Sequence, residues 1–119
     1  MRRIALVLAL AGALFAGSPA EAASISVRFT SLTSPVSRGS HATASVHTSA
    51  QAYCHITVTY KTGPSHAKGL GAKHASGSGS VSWTWTVGSN TTPGSWPVRV
   101  SCSKSGHTAS KTKYFRVTR

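Results

Sequence analysis

From residue 25 onward the chain alternates apolar and polar positions with a period of two. Ile25, Val27 and Phe29 alternate with Ser26, Arg28 and Thr30, and Ala42, Ala44 and Val46 alternate with Thr43, Ser45 and His47. The pattern strengthens in Cys54, Ile56, Val58 and Tyr60, then in Val81, Trp83, Trp85 and Val87, and again in Trp96, Val98, Val100 and Cys102. Successive side chains of a strand point to opposite faces, so each run predicts a half-buried β-strand. A last strand is expected over residues 108–117 with Phe115 and Val117 inward; Lys111 and Lys113 share their parity, which predicts a bulge there. Turn-forming clusters separate the runs: Ser34-Pro35-Val36-Ser37-Arg38-Gly39, Gly63-Pro64-Ser65, Gly77-Ser78-Gly79, Thr92-Pro93-Gly94 and Ser105-Gly106. Residues 62–79 are long and Gly-rich and leave room for one short edge strand, near Leu70. No helical period occurs, and short strands at this spacing imply an all-β sandwich or barrel.

The two Cys fix a register. If Cys54 faces Cys102 across an antiparallel pair, then Ile56 meets Val100, Val58 meets Val98 and Tyr60 meets Trp96, all apolar and on one face. A slip of one residue would send every one of them to solvent, so the disulfide and the hydrophobic pattern select the same pairing. The bridge closes a long loop and contributes about 4 kcal/mol by restricting the unfolded chain. Trp83 and Trp85, from the strand between, are expected to cover this face from an opposing sheet.

The segments Val81-Ser82-Trp83-Thr84-Trp85, Thr92-Pro93-Gly94-Ser95-Trp96 and Phe115-Arg116-Val117 together resemble the small immunoglobulin-like domains of secreted bacterial proteins. The likeness covers about residues 25–118, and its motifs are structural. It implies an antiparallel β-sandwich of about seven strands with an extracellular, surface or binding-module role, and it transfers no functional residue. Read on that framework, the Cys pair joins strands C and F within one sheet, whereas antibody domains bridge B to F across the sheets.

The N-terminus adds a compartment. Arg2 and Arg3 precede an uninterrupted apolar run, Ile4 to Gly17, too short for the roughly 20 residues of a membrane span. Ser18-Pro19 breaks the run, and Ala20-Glu21-Ala22 supplies small residues for a signal peptidase, so residues 1–22 are expected to be a signal peptide and residues 23–119 the mature domain. Export by this route implies a secreted, extracellular protein without a transmembrane segment, in a compartment where the disulfide persists.

Charge then narrows the chemistry. Of 13 Lys and Arg, two lie in the leader with the only acid, Glu21, so the mature chain carries eleven cations and no side-chain carboxylate. Paired carboxylates for glycoside hydrolysis and a Ser-His-Asp triad are therefore impossible, and the chain is expected not to be an enzyme. No cofactor is expected. His41 and His47 lie too far apart along one strand to share an ion; His66 and His74 can meet but lack thiolate or carboxylate help. Asn90-Thr91-Thr92 matches an N-glycosylation acceptor. A positive field favours polyanionic partners: cell-wall polymers, acidic polysaccharides, anionic lipid surfaces or extracellular nucleic acid, the last disfavoured because most rings are committed to the core. The residues expected to bind such a polymer are Lys61, Lys68 and Lys73 around one loop with Arg99 and Arg116 outward on a sheet; Lys104, Lys111 and Lys113 form a second group, and Tyr53 and Tyr114 are the outward aromatics. Two functions fit: a non-catalytic binding or structural module attached to an anionic envelope or matrix, and a cationic antimicrobial or toxin-like effector.

Overall fold

The computed structural model describes residues 25–119. The signal peptide expected over residues 1–22 lies outside the described residues. The strands are β1 (Arg28–Leu32), β2 (Val36–Ser37), β3 (His41–His47), β4 (Tyr53–Tyr60), β5 (Gly63–Pro64), β6 (Lys73–His74), β7 (Ser80–Thr86), β8 (Gly94–Lys104) and β9 (His107–Thr118). Among the described residues no helix is long and apolar enough to cross a membrane. Six strands are long; β2, β5 and β6 are two-residue pairings that a period-two count does not detect.

One sheet has the order β1-β3-β7, and the other β2-β9-β8-β4-β5 with β6 also paired to β4. This is an immunoglobulin-like sandwich, A-B-E against C-F-G, antiparallel apart from the short parallel β2–β9 pairing. Trp83, Trp85 and Phe115 fill its centre, all at most 1% exposed, among small residues such as Ala42, Ala44, Val58 and Val98. Large rings from β7 fill the volume that a core poor in Leu and Ile leaves open, and Trp85 meets Phe115 edge-on at 5.9 Å.

The β4–β8 register is the one the Cys pair predicts: Cys54 opposes Cys102, Ile56 opposes Val100 and Val58 opposes Val98. The ladder ends before Tyr60, which pairs with Gly63 in the tight β4–β5 hairpin, yet its ring still meets Trp96 edge-on at 6.4 Å. The bridge thus lies within one sheet, between C-like and F-like strands.

Two local expectations are overturned. The β8–β9 register runs unbroken from Gly94↔Val117 to Lys104↔His107, so β9 has no bulge. Lys111 and Lys113 instead stand opposite Val100 and Val98 on the inner side of the sheet and remain exposed, because the narrower three-stranded sheet leaves this stretch uncovered. The irregularity falls in β1, between Phe29 and Ser31. Nor is there a strand at Leu70. The short strand is Lys73–His74, paired with Tyr53 and Cys54, while Leu70 packs against the core from a loop. That loop runs along the outer edge of β7: Lys73 Nζ donates to the Ser82 carbonyl at 2.7 Å and Trp83 Nε1 to the Gly71 carbonyl at 2.8 Å. Gly69 has a φ of +94°, and a Cβ there would strike the Thr84 carbonyl oxygen, so only glycine lets the loop approach closely enough to shield this edge.

Candidate functional site: the outer face of the β4-β8-β9 sheet

The alternation that builds the core also dictates what faces water. On β4 the outward positions are Tyr53, His55, Thr57 and Thr59; on β8 they include Arg99, Ser101 and Ser103; on β9 they are Thr108, Ser110, Thr112, Tyr114 and Arg116. The registers set them in rows: Tyr53, Ser103 and Thr108; His55, Ser101 and Ser110; Thr57, Arg99 and Thr112; then Pro97 beside Tyr114 and Ser95 beside Arg116. Diagonal neighbours on adjacent strands lie about 7–8 Å apart, within reach of long side chains. A continuous diagonal therefore crosses three strands in the order Tyr53, His55, Arg99, Tyr114, Arg116. At the usual rise and strand spacing it spans about 30 Å.

Tyr53 and Tyr114 are the large hydrophobic side chains left exposed, at 40% and 63%, and both sit on this face. Tyr53 is buttressed by His55, whose ring lies edge-on at 4.8 Å, and by His74 of β6, tilted at 4.8 Å. Arg99 Nη2 donates to Ser110 Oγ at 3.2 Å, which orients its guanidinium along the sheet. The Arg116 backbone N–H donates to Ser34 Oγ at 3.0 Å, anchoring β9 where β2 joins it. Among the described residues there is no Asp or Glu, so no side-chain carboxylate neutralises either guanidinium, and their full charge is presented to solvent or ligand.

The face brings together two of the five basic residues picked out in the sequence, Arg99 and Arg116. Lys61 lies at the β4–β5 turn, beside a depression at the end of the sandwich. Lys68 is exposed in the loop before β6. Lys73 stands opposite Cys54 and turns its ammonium away from the face, to the Ser82 carbonyl of the other sheet. In the second group, Lys104 Nζ donates to the Ala50 carbonyl, while Lys111 and Lys113 stand on the inner side of β9. His55 and His74 were not picked out together. The parity of His55 with Tyr53 is visible in the sequence, but the β6–β4 pairing that delivers His74 is not. Among the described residues no three His, Cys, Asp or Glu side chains gather as metal ligands.

No protein-family model matches the chain, and no curated protein matches it in sequence. Its fold is similar to solved structures. One is a tetra-tandem repeat in the extending region of a large adhesion protein, with a TM-score of 0.57 and 18% identity, covering 79% of this chain and 24% of that one. Another is the sulfur carrier protein SoxY from Chlorobium limicola f thiosulfatophilum, with a TM-score of 0.50 and 12% identity, covering 78% of this chain and 79% of that one. The chain thus spans about a quarter of the adhesion-protein structure. At these identities the likeness is one of fold.

Proposed function

We propose that the protein is a secreted, non-catalytic binding module that attaches to an anionic polysaccharide or envelope polymer through the outer face of β4, β8 and β9. The carrying observation is the diagonal of Tyr53, His55, Arg99, Tyr114 and Arg116, which sets rings and unneutralised cations in line on one sheet face. A linear polyanion lying along it gains charge pairing from the guanidiniums and stacking from the tyrosines, with hydroxyls of Ser101, Ser110 and Thr112 between them. The adhesion-protein repeat of similar fold is consistent with a binding role, as is a disulfide that persists only where the environment is oxidising.

Retention on immobilised heparin as salt rises tests this reading. Arg99→Ala with Arg116→Ala should elute at clearly lower salt than wild type. A control of equal charge, Arg28→Ala with Lys68→Ala, should elute near wild type. Equal losses in the two doubles would mean that the charge acts as a dispersed field and that the face is no site. Stronger retention on single-stranded DNA or on anionic vesicles than on heparin would reassign the ligand.

A further inference from the structure

At the end of the sandwich where β4 turns into β5, Tyr60, Lys61 and Thr62 face residues 88–92 across a depression of about 410 Å³. That volume lies in the range of about 300–1,000 Å³ typical of small-molecule sites. Its walls are held in place. Trp96 Nε1 donates to the Thr92 carbonyl at 2.8 Å, and the Thr91 N–H donates to the Gly88 carbonyl at 3.1 Å, closing the loop on itself. The Tyr60 ring packs between Trp96 at 6.4 Å and Phe115 at 6.1 Å, and its Oη accepts a hydrogen bond from Trp85 Nε1 at 3.2 Å. Because that oxygen is already the acceptor, the Tyr60 proton is left to donate. Burial pushes the Tyr60 phenol above its ordinary 10.0, against the smaller opposing effect of the Trp85 bond, so the proton stays in place at neutral pH.

The lining excludes most ligand classes. It holds no His, Cys, Asp or Glu to bind a metal ion, no fully exposed ring face for a nucleobase, and no aliphatic side chain for an acyl chain. It offers instead the Ser89, Thr91 and Thr92 hydroxyls and the Asn90 amide, groups that both donate and accept, with Lys61 as the single charge. A compact ring with several hydroxyls and one negative charge answers that set. We propose that the depression binds a hexuronic acid, with Lys61 pairing its carboxylate, Asn90 and the loop hydroxyls meeting its ring hydroxyls, and Tyr60 donating from the floor. The proposal does not rest on the sheet face: either site can fail while the other stands.

Amide chemical shifts of the exported, disulfide-bonded protein, made in a host that leaves Asn90 unmodified, test it during titration with glucuronate, galacturonate, glucose and acetate. Uronates should give saturable shifts confined to residues 60–62 and 88–92, with acetate giving none there and glucose binding at least about fivefold more weakly. Lys61→Met should weaken uronate about tenfold and leave glucose unchanged, since only the charge-assisted contact is lost. Asn90→Asp, a surface change that leaves the core intact, should weaken uronate severalfold through like charge across the site while sparing glucose, whose hydroxyls a carboxylate still accepts from. A polyuronide of known length separates the sources: shifts that scale with chain ends indicate a terminal residue, shifts that scale with total residues an internal one, and a response to the monosaccharide alone a free sugar. Shifts spread over basic residues elsewhere, an equal response to acetate, or undiminished binding by Lys61→Met would overturn the proposal.

Discussion

The two outer faces of this sandwich are built by the same alternation and end in opposite states. On β3 and β7 the outward rows are His41 with Thr86, Thr43 with Thr84, Ser45 with Ser82 and His47 with Ser80. These small groups bond to one another or to nearby backbone: Thr43 Oγ1 to Thr84 Oγ1 at 2.9 Å, Thr86 Oγ1 to His41 Nδ1 at 3.0 Å, and His47 Nε2 to the Ser78 carbonyl at 3.0 Å. No large hydrophobic ring is exposed there, its depression of about 350 Å³, lined mostly by Ser and Thr, carries no charge, and the sheet's outward cation is Arg28 of β1, opposite His47. On β4, β8 and β9 most outward positions are again Ser or Thr, but two are cationic and two are exposed rings. Polarity alone does not make a binding face. What separates the two is the alignment of two cations with two exposed rings on one face, where the other has a single arginine at its edge strand and no exposed ring.

The largest expected effect strikes both faces together. Trp83→Ala removes a fully buried ring from the shared core and should cost about 3–5 kcal/mol of stability, read from urea denaturation, with heparin binding lost only as the protein unfolds. A smaller effect should break the comparison on one side alone. Arg99→Glu with Arg116→Glu should lower heparin affinity at low salt at least about tenfold. The slope of log affinity against log salt should become shallower by about 1.5, the release of two counterion contacts, with the melting temperature nearly unchanged.

A third prediction concerns alkali. Burial raises the Tyr60 pKa in the folded state above its unfolded value near 10.0, so the folded protein holds that proton more tightly. The corresponding stability is fully present below the unfolded pKa and is lost as pH rises through the folded one. Thermal melts from pH 8 to 12 should show a decline that Tyr60→Phe flattens, at the cost of an unpaired Trp85 N–H at every pH. The smallest effect is expected on the closed face. Thr43→Val with Thr84→Val removes both partners of one hydrogen bond, so stability should change by less than about 0.5 kcal/mol and heparin binding not at all.

How much of this was legible in the sequence depends on the range of the interaction involved. The β4–β8 register was readable because two independent constraints, the Cys pair and the apolar parity, coincide. Arg99 was readable as outward for the same reason, and Arg116 from the parity of Phe115 and Val117 alone. Parity also places Lys111 and Lys113 on the inner side, as found; the bulge does not follow, because it assumes that both sheets are equally wide, and here three strands cover part of a broader sheet. The facing of Lys73 and His74 is not legible in the sequence, because it is set by a two-residue pairing to Cys54 and Tyr53, distant in sequence, from within a Gly-rich segment. In a strand that short, one residue decides whether a lysine joins the outer face of β4, β8 and β9 or turns its ammonium to the other sheet.

The measurement that bears most directly on the central claim is an amide and side-chain shift map of the protein with a short heparin oligosaccharide at low salt. The account predicts that perturbations trace the diagonal from Tyr53 through His55, Arg99 and Tyr114 to Arg116, move both tyrosine ring signals, and spare Thr43, Ser45, Ser82 and Thr84. Perturbations spread evenly over both outer faces, or centred on β3 and β7, would contradict it.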